Sequence, residues 1–144
     1  MTPESLAALH ALAFTEAPRP WSASEFATLL GAASTVFVAE PDGFALGRVA
    51  GPEAELLTLA VHPSARRQGV GGRLLAGFEA AVTDRGAVEL LLEVAATNAA
   101  ARALYLKSGY LPVGRRPAYY RLSGRAPVDA IVLRRDLGRT GKSD

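Results

Sequence analysis

The chain has 144 residues, 49% of them hydrophobic and 21% charged, a globular composition that argues against disorder and suits one domain of ordinary size. It contains no cysteine, which removes a disulfide framework, a thiolate metal site and a cysteine nucleophile together. The net charge is only +2, yet fourteen of the sixteen basic residues are arginine, so the charge permits a phosphate ligand without demanding a polyanion. Met1-Thr2-Pro3-Glu4 has no basic n-region, and no apolar run reaches the length of a signal or membrane segment; the expectation is a cytoplasmic protein.

Leu6 to Phe14 reads as a helix with Leu6, Leu9 and Ala13 on one face, broken by Pro18-Arg19-Pro20-Trp21. Ser22 opens a second helix, with Glu25 completing a capping box, Phe26, Leu29 and Leu30 as its apolar stripe, and Gly31 as its end. Two strands follow, Thr35 to Ala39 and Phe44 to Ala50, around a Pro41-Asp42-Gly43 turn; Gly51-Pro52 then leads into a third, Ala54 to Val61. Short loops make these three antiparallel. An Arg/Gly-rich loop enters a helix from Leu74 to Arg85, ended by Gly86, and Ala87 to Val94 is a nearly continuous apolar run that suits a central strand. Strand, helix and strand in that order give one right-handed crossover and one parallel pair. Thr97 is placed to cap a further helix through Lys107, closed by Gly109, and Tyr110–Val113 and Ala130–Leu133 are two last extended pieces with looser chain between them. Residues 1–137 thus read as one α+β domain, with 138–144 a polar tail expected to fray.

The loop Arg66-Arg67-Gln68-Gly69-Val70-Gly71-Gly72 lies between a strand and a helix. Glycines there let backbone N–H groups come close to an anion, the helix start adds partial positive charge, and the arginines add charge-assisted donors. The same glycines equally serve a connection that only has to turn. No Gly-Lys-Ser/Thr follows, and the dinucleotide spacing is absent, so neither of those phosphate motifs is present.

Leu59-Ala60-Val61-His62-Pro63 followed by Arg66-x-x-Gly69-x-Gly71 resembles the acetyl-coenzyme A signature of the GNAT superfamily of N-acetyltransferases. Asn98-Ala-Ala-Ala-Arg-Ala-Leu-Tyr105-Leu-Lys-Ser-Gly109-Tyr110 resembles that superfamily's later helix and the strand after it. The resemblance implies a mixed, mostly antiparallel sheet with helices on both faces and a central parallel pair that splays apart around the acetyl thioester. It also implies that Leu59, Ala60 and Val61 pair their backbone with the pantetheine arm. The amides from Arg67 to Gly72, beside Arg66, would cradle the pyrophosphate, with Gln68, Gly69, Val70 and Gly71 between, and Asn98 would touch the cofactor. No metal is implied. His62 reads as a hydrogen-bonded or solvated loop histidine, and His10 as a residue of a surface helix.

Acetyl transfer to an amine needs an unprotonated nucleophile, a stabilised oxyanion and a proton for the leaving thiolate. Glu93, at the end of the central apolar strand, is the candidate general base, in apolar company that would tune it toward proton transfer. Tyr105, on the next helix, is the candidate general acid. On the bare residues, Glu93 equally suits a salt bridge and Tyr105 a core anchor. The spacing of Leu92-Glu93-Val94, Asn98 and Leu104-Tyr105 resembles the bacterial ribosomal-protein-alanine N-acetyltransferases, which implies the base and acid roles. Pro20-Trp21-Ser22, Arg115-Arg116 with Tyr119-Tyr120, and Asp129-Ala130-Ile131 resemble the same group, although Pro117-Ala118 stands where the group typically has one residue.

The implied acceptor is a protein N-terminus of the ribosomal-protein alanine type. A peptide α-amine titrates near 7.7–8.0 and a lysine near 10.4, so lysine carries about 3.4 kcal/mol of extra deprotonation cost at neutral pH. A small-molecule amine or a protein lysine is the alternative acceptor, a non-catalytic acyl-coenzyme A sensor a further reading. Nucleic-acid binding would need stacked aromatics along a basic face, and the aromatics here are few and scattered. The sequence does not set the oligomeric state.

Overall fold

A computed structural model describes residues 1–14, 19–121 and 124–138. Along the chain lie α1 (Pro3–Ala13), α2 (Ala23–Leu30), β1 (Thr35–Glu40), β2 (Gly43–Ala50), β3 (Glu53–Val61), a 3-10 turn (Pro63–Ala65), α3 (Val70–Asp84), β4 (Glu89–Ala95), α4 (Ala99–Lys107), β5 (Leu111–Tyr120) and β6 (Val128–Asp136). The six strands form one sheet in the order β1-β2-β3-β4-β6-β5. β3 and β4 are parallel, as the crossover through α3 requires, and the other neighbours are antiparallel. Beyond Gly138, the tail expected to fray falls outside the described residues.

Caps decide where the helices begin. α1 starts at Pro3 rather than Leu6, because the Thr2 side chain accepts from the Ser5 N–H, Ser5 bonds back to Thr2, and Pro3 suits the first helical position. α2 has the expected Ser22/Glu25 box. α4 is capped by Asn98 and not by Thr97: the Asn98 Oδ1 accepts from the Ala101 N–H at 3.1 Å. Two capping residues stand side by side there, and the helix starts one position later than expected. α3 begins at Val70, so Gly71 and Gly72 belong to its first turn and not to the loop.

Two cores lie on the two faces of the sheet. Leu74, Leu75, Phe78 and Val82 of α3 pack on Val36, Ala45, Leu56, Leu90 and Leu92 on one side. Leu6 and Leu9 of α1 and Phe26 of α2 pack on Phe44, Leu46 and Ala60 on the other. His10 belongs to this second side and corrects the surface reading: it is fully buried, between Phe14, Trp21 and Phe26. Its Nδ1 accepts from the Trp21 N–H at 3.0 Å, so the neutral ring carries its proton on Nε2 and donates it to Thr58 Oγ1 at 2.8 Å.

The sheet is cut at its centre by a change of parity in β3. Ala54 and Leu56 face the α3 core; so do Leu59 and Val61, two odd-numbered residues after two even ones. The switch is a bulge at Leu57, where the β2–β3 register passes from Leu46↔Thr58 to Gly47↔Leu56. Gly47 makes the bulge possible, since a Cβ there would sit 2.2 Å from the Glu55 carbonyl and 2.4 Å from the Phe78 ring. The β3–β4 pairing runs from Glu53↔Glu89 to Leu56↔Leu92 and stops at the bulge. β3 past Leu56 and β4 past Leu92 therefore diverge, and a gap opens between them.

The last two strands are longer than expected. β5 is an edge strand whose residues are exposed on both faces up to Tyr119, so no alternation marks it in the sequence. Its register against β6 passes from Arg116↔Ala130 to Tyr120↔Val128, leaving 117–119 opposite Asp129 alone. Pro117-Ala118 is accommodated in this bulge, with Ala118 at φ +52°.

Candidate active site

A cleft of about 590 Å³ lies on the α3 side of the split, within the range of small-ligand sites. Its walls are the diverging end of β3 (Leu59, Val61), the loop and first turn of α3 (Arg66, Arg67, Gly69, Val70, Gly71), the end of α1 (Ala13, Phe14) and the start of α4 (Thr97, Asn98, Ala101, Leu104, Tyr105).

The loop end of this cleft is built for an anion. The first amides of a helix have no acceptor within it. In α1, α2 and α4 a side chain supplies one at the start; Gly69, which precedes α3, supplies none. The N–H groups of Val70, Gly71 and Gly72 thus open the helix uncapped, with the positive end of its dipole behind them. Gly69 turns the chain in the left-handed region at φ +78°, and Arg67 does so at φ +65°. A Cβ on Gly71 would point at the cleft walls, 3.3 Å from Leu104 and 3.9 Å from Leu59 and Val61. Arg66 is anchored across the cleft mouth, its Nη2 donating to the Ala13 carbonyl at 3.2 Å.

Of the residues expected at the cofactor, Leu59, Val61, Arg66, Arg67, Gly69, Val70, Gly71 and Asn98 line the cleft. Ala60 turns its side chain to the opposite core. The Gln68 carbonyl is taken by Arg73 at 3.2 Å, and a Cβ on Gly72 would meet nothing within 4 Å. Asn98 spends its Oδ1 on the helix cap while remaining on the wall. His62 is a hydrogen-bonded loop residue, as its place after β3 suggested, with Nδ1 accepting from the Ser64 N–H.

Glu93 is the first β4 residue past the last β3–β4 pair, so the split itself sets its position. Alternation turns it away from Leu92 and the α3 core. It does not stand in the apolar surroundings expected of it: the Arg116 guanidinium of β5 reaches it and pairs Nε with Oε2. Sequence reasoning missed this contact because β5 carries no periodic signal. Tyr105 comes from the other side. It is buried, stacks edge-on against Tyr110 at 5.8 Å, and lines the cleft. Among the described residues its hydroxyl has no hydrogen-bond partner, whereas Tyr110 donates to Glu79 Oε2 at 2.8 Å. Burial, and then the nearby Tyr120, push the Tyr105 phenol well above its ordinary range, so it holds its proton. Tyr120 joins the two sides: burial first, and then the Glu93 charge, push its phenol up to about 12.

Residues 3–110 match the model of the acetyltransferase (GNAT) family. The chain belongs to this family. It is 39% identical, over 79% of its own length and 79% of the relative's, to the [ribosomal protein bS18]-alanine N-acetyltransferase of Escherichia coli strain K12. It is 44% identical over 65% of its length to the N-alpha-acetyltransferase RimI of Mycobacterium tuberculosis, of which it covers 55%. The crystal structure of the ribosomal-protein-S18-alanine N-acetyltransferase from Escherichia coli superposes with a TM-score of 0.79 at 30% identity, covering 96% of this chain and 92% of that one. As a GNAT enzyme the protein is an acetyl-CoA-dependent N-acetyltransferase, and its split sheet is the GNAT arrangement expected from the two motifs. Among the described residues no group of three or more His, Asp or Glu side chains is placed to hold a metal, and no helix is long and apolar enough to cross a membrane.

Proposed function

We propose that the protein acetylates the α-amine of a protein N-terminus, with a ribosomal-protein alanine as the substrate class, in the cytoplasm. The observation that carries the reading is the position of Glu93 at the first unpaired residue of the split, off the cleft lining, with Tyr105 on the cleft wall. The relatives named for alanine N-acetylation support the acceptor class.

The residues fit acetyl-CoA as substrate. Val70, Gly71 and Gly72 offer their amides, and Arg66 and Arg67 their charge, to the pyrophosphate. Leu59 and Val61, unpaired on the β4 side, offer backbone groups to the pantetheine arm, and Leu104 and Ala101 an apolar wall. Glu93 takes the proton of the acceptor nitrogen, directly or through one water, as the lone pair adds to the thioester carbonyl. A backbone N–H of the diverging β3 stabilises the oxyanion. The C–S bond then breaks, Tyr105 gives its proton to the departing sulfur, and amide and free thiol result.

The test mixes enzyme, acetyl-CoA and a peptide beginning Ala-Arg, and follows thiol release with mass spectrometry of the peptide. Acetylation confined to a free α-amine, lowered about a hundredfold or more in Glu93→Gln, is expected. Thiol release with the peptide unmodified would overturn the acceptor, and full rate in Glu93→Gln would overturn the base.

A further inference from the structure

The carboxylate assigned as base already has a cationic partner from its own chain. Arg116 Nε donates to Glu93 Oε2, and the guanidinium carbon lies 5.3 Å from the Tyr119 ring centre. The contact is held from the backbone. Arg115 and Arg116 point to opposite faces of β5. Arg115 is fixed by Asp129 Oδ2 at 2.7 Å, and Asp129 Oδ1 accepts from the Ala118 N–H at 2.7 Å, which pins the bulge immediately after Arg116. The charged and titratable groups that the described residues bring near Glu93 are Arg116 and Tyr120 of β5, with Tyr105 of α4 beside Tyr120. Its β6 partner is Val132, and it has no β3 partner, because that ladder ends at Leu56↔Leu92.

We propose that Arg116 sets the protonation state in which the acceptor enters: its guanidinium on Oε2 repels a second cation, so Glu93 receives acceptors that arrive as neutral amines through its other oxygen. The inference rests on the reading of Glu93 as the base toward an α-amine. The pH dependence it produces follows from amine chemistry. Near pH 7 about one α-amine in ten is neutral, and above about pH 8 most are. An enzyme that admits the neutral form therefore gains kcat/KM in step with that fraction. Without the guanidinium, an ammonium can pair with Glu93 and lose its proton in place, and kcat/KM no longer follows the neutral fraction.

The experiment measures kcat/KM from pH 6.5 to 9 for wild type, Arg116→Gln and Arg116→Lys on a peptide with a free α-amine and no lysine. In wild type kcat/KM is expected to rise with the neutral fraction of the amine, about tenfold or more over that range, and in Arg116→Gln that rise is expected to flatten. Arg116→Lys, which keeps the charge, should keep the rise. A parallel pH profile in Arg116→Gln, even with a lower rate, would make Arg116 structural and overturn the inference. Wild-type enzyme inactive on the free α-amine, or Glu93→Gln at full rate, would instead overturn the reading beneath it.

Discussion

At the scale of single residues, the two faces of the sheet carry groups with opposite fates. His10 is held neutral: burial, as the largest effect, lowers its pKa from 6.5 to about 4. The unfolded chain therefore takes up the proton first as pH falls, and the native state loses stability between about pH 6.5 and 4, by roughly 3 kcal/mol in all. Urea unfolding of wild type and His10→Gln at pH 7.5 and 5 checks this. The drop in wild type should shrink in the variant, and equal drops would remove His10 as the cause. The two stacked tyrosines divide between chemistry and stability. Tyr105→Phe keeps the ring contact and removes a hydroxyl without a protein partner among the described residues, so stability should move by less than about 1 kcal/mol while turnover falls at least about tenfold. Tyr110→Phe strips a donor from Glu79, which also pairs with Arg135 at 2.9 Å. Its cost should be about 1–3 kcal/mol of stability with turnover nearly kept. Reversed outcomes would exchange the two roles.

At the scale of elements, the start of α3 does two jobs within three residues. Gly72 has open space where a Cβ would go, so Gly72→Ala should raise stability by about 0.5–1 kcal/mol through helix propensity. Gly71 has the cleft there, so Gly71→Ala should weaken acetyl-CoA binding several-fold with little change in unfolding midpoint. Calorimetric titration beside urea unfolding separates the two; equal affinity in both variants would remove Gly71 from the cofactor wall. This turn also shows how far the sequence reaches. The Gly-rich loop after an apolar strand, and Asn98 before Tyr105, were readable because the family's motifs are local strings. The splaying of β3 from β4 is implied only by resemblance, since its place depends on a bulge at Leu57 and a close approach at Gly47 that no periodicity records. The sequence marks β5 only to Val113 because an edge strand exposed on both faces shows no alternation, and so it does not show the Arg116–Glu93 pair. The burial of His10 is not legible in the sequence because its partners, Thr58 and the Trp21 amide, lie 48 and 11 residues away.

At the scale of the whole molecule, the sheet is two halves joined by four residue pairs, β1-β2-β3 on one side and β4-β6-β5 on the other. The cleft walls come from both: Leu59, Val61 and Gly71 follow β3, while Asn98, Leu104 and Tyr105 follow β4. A ligand held between them binds only the assembled halves, so it stabilises the fold by mass action. At a hundred times its Kd the gain is about 2.7 kcal/mol, a rise in Tm of roughly 5–10 °C for a chain of this length. Coenzyme A should give that shift in thermal unfolding, and less of it as salt screens the arginines. Arg67→Gly is the informative variant. It removes one guanidinium from the anion end, suits a backbone at φ +65°, and leaves the Arg66 bond to Ala13 in place. The ligand-free Tm should therefore hold or rise while the coenzyme A shift at fixed concentration shrinks. A full-sized shift in Arg67→Gly would mean that the uncapped amides of Val70, Gly71 and Gly72 hold the pyrophosphate without help from that side chain.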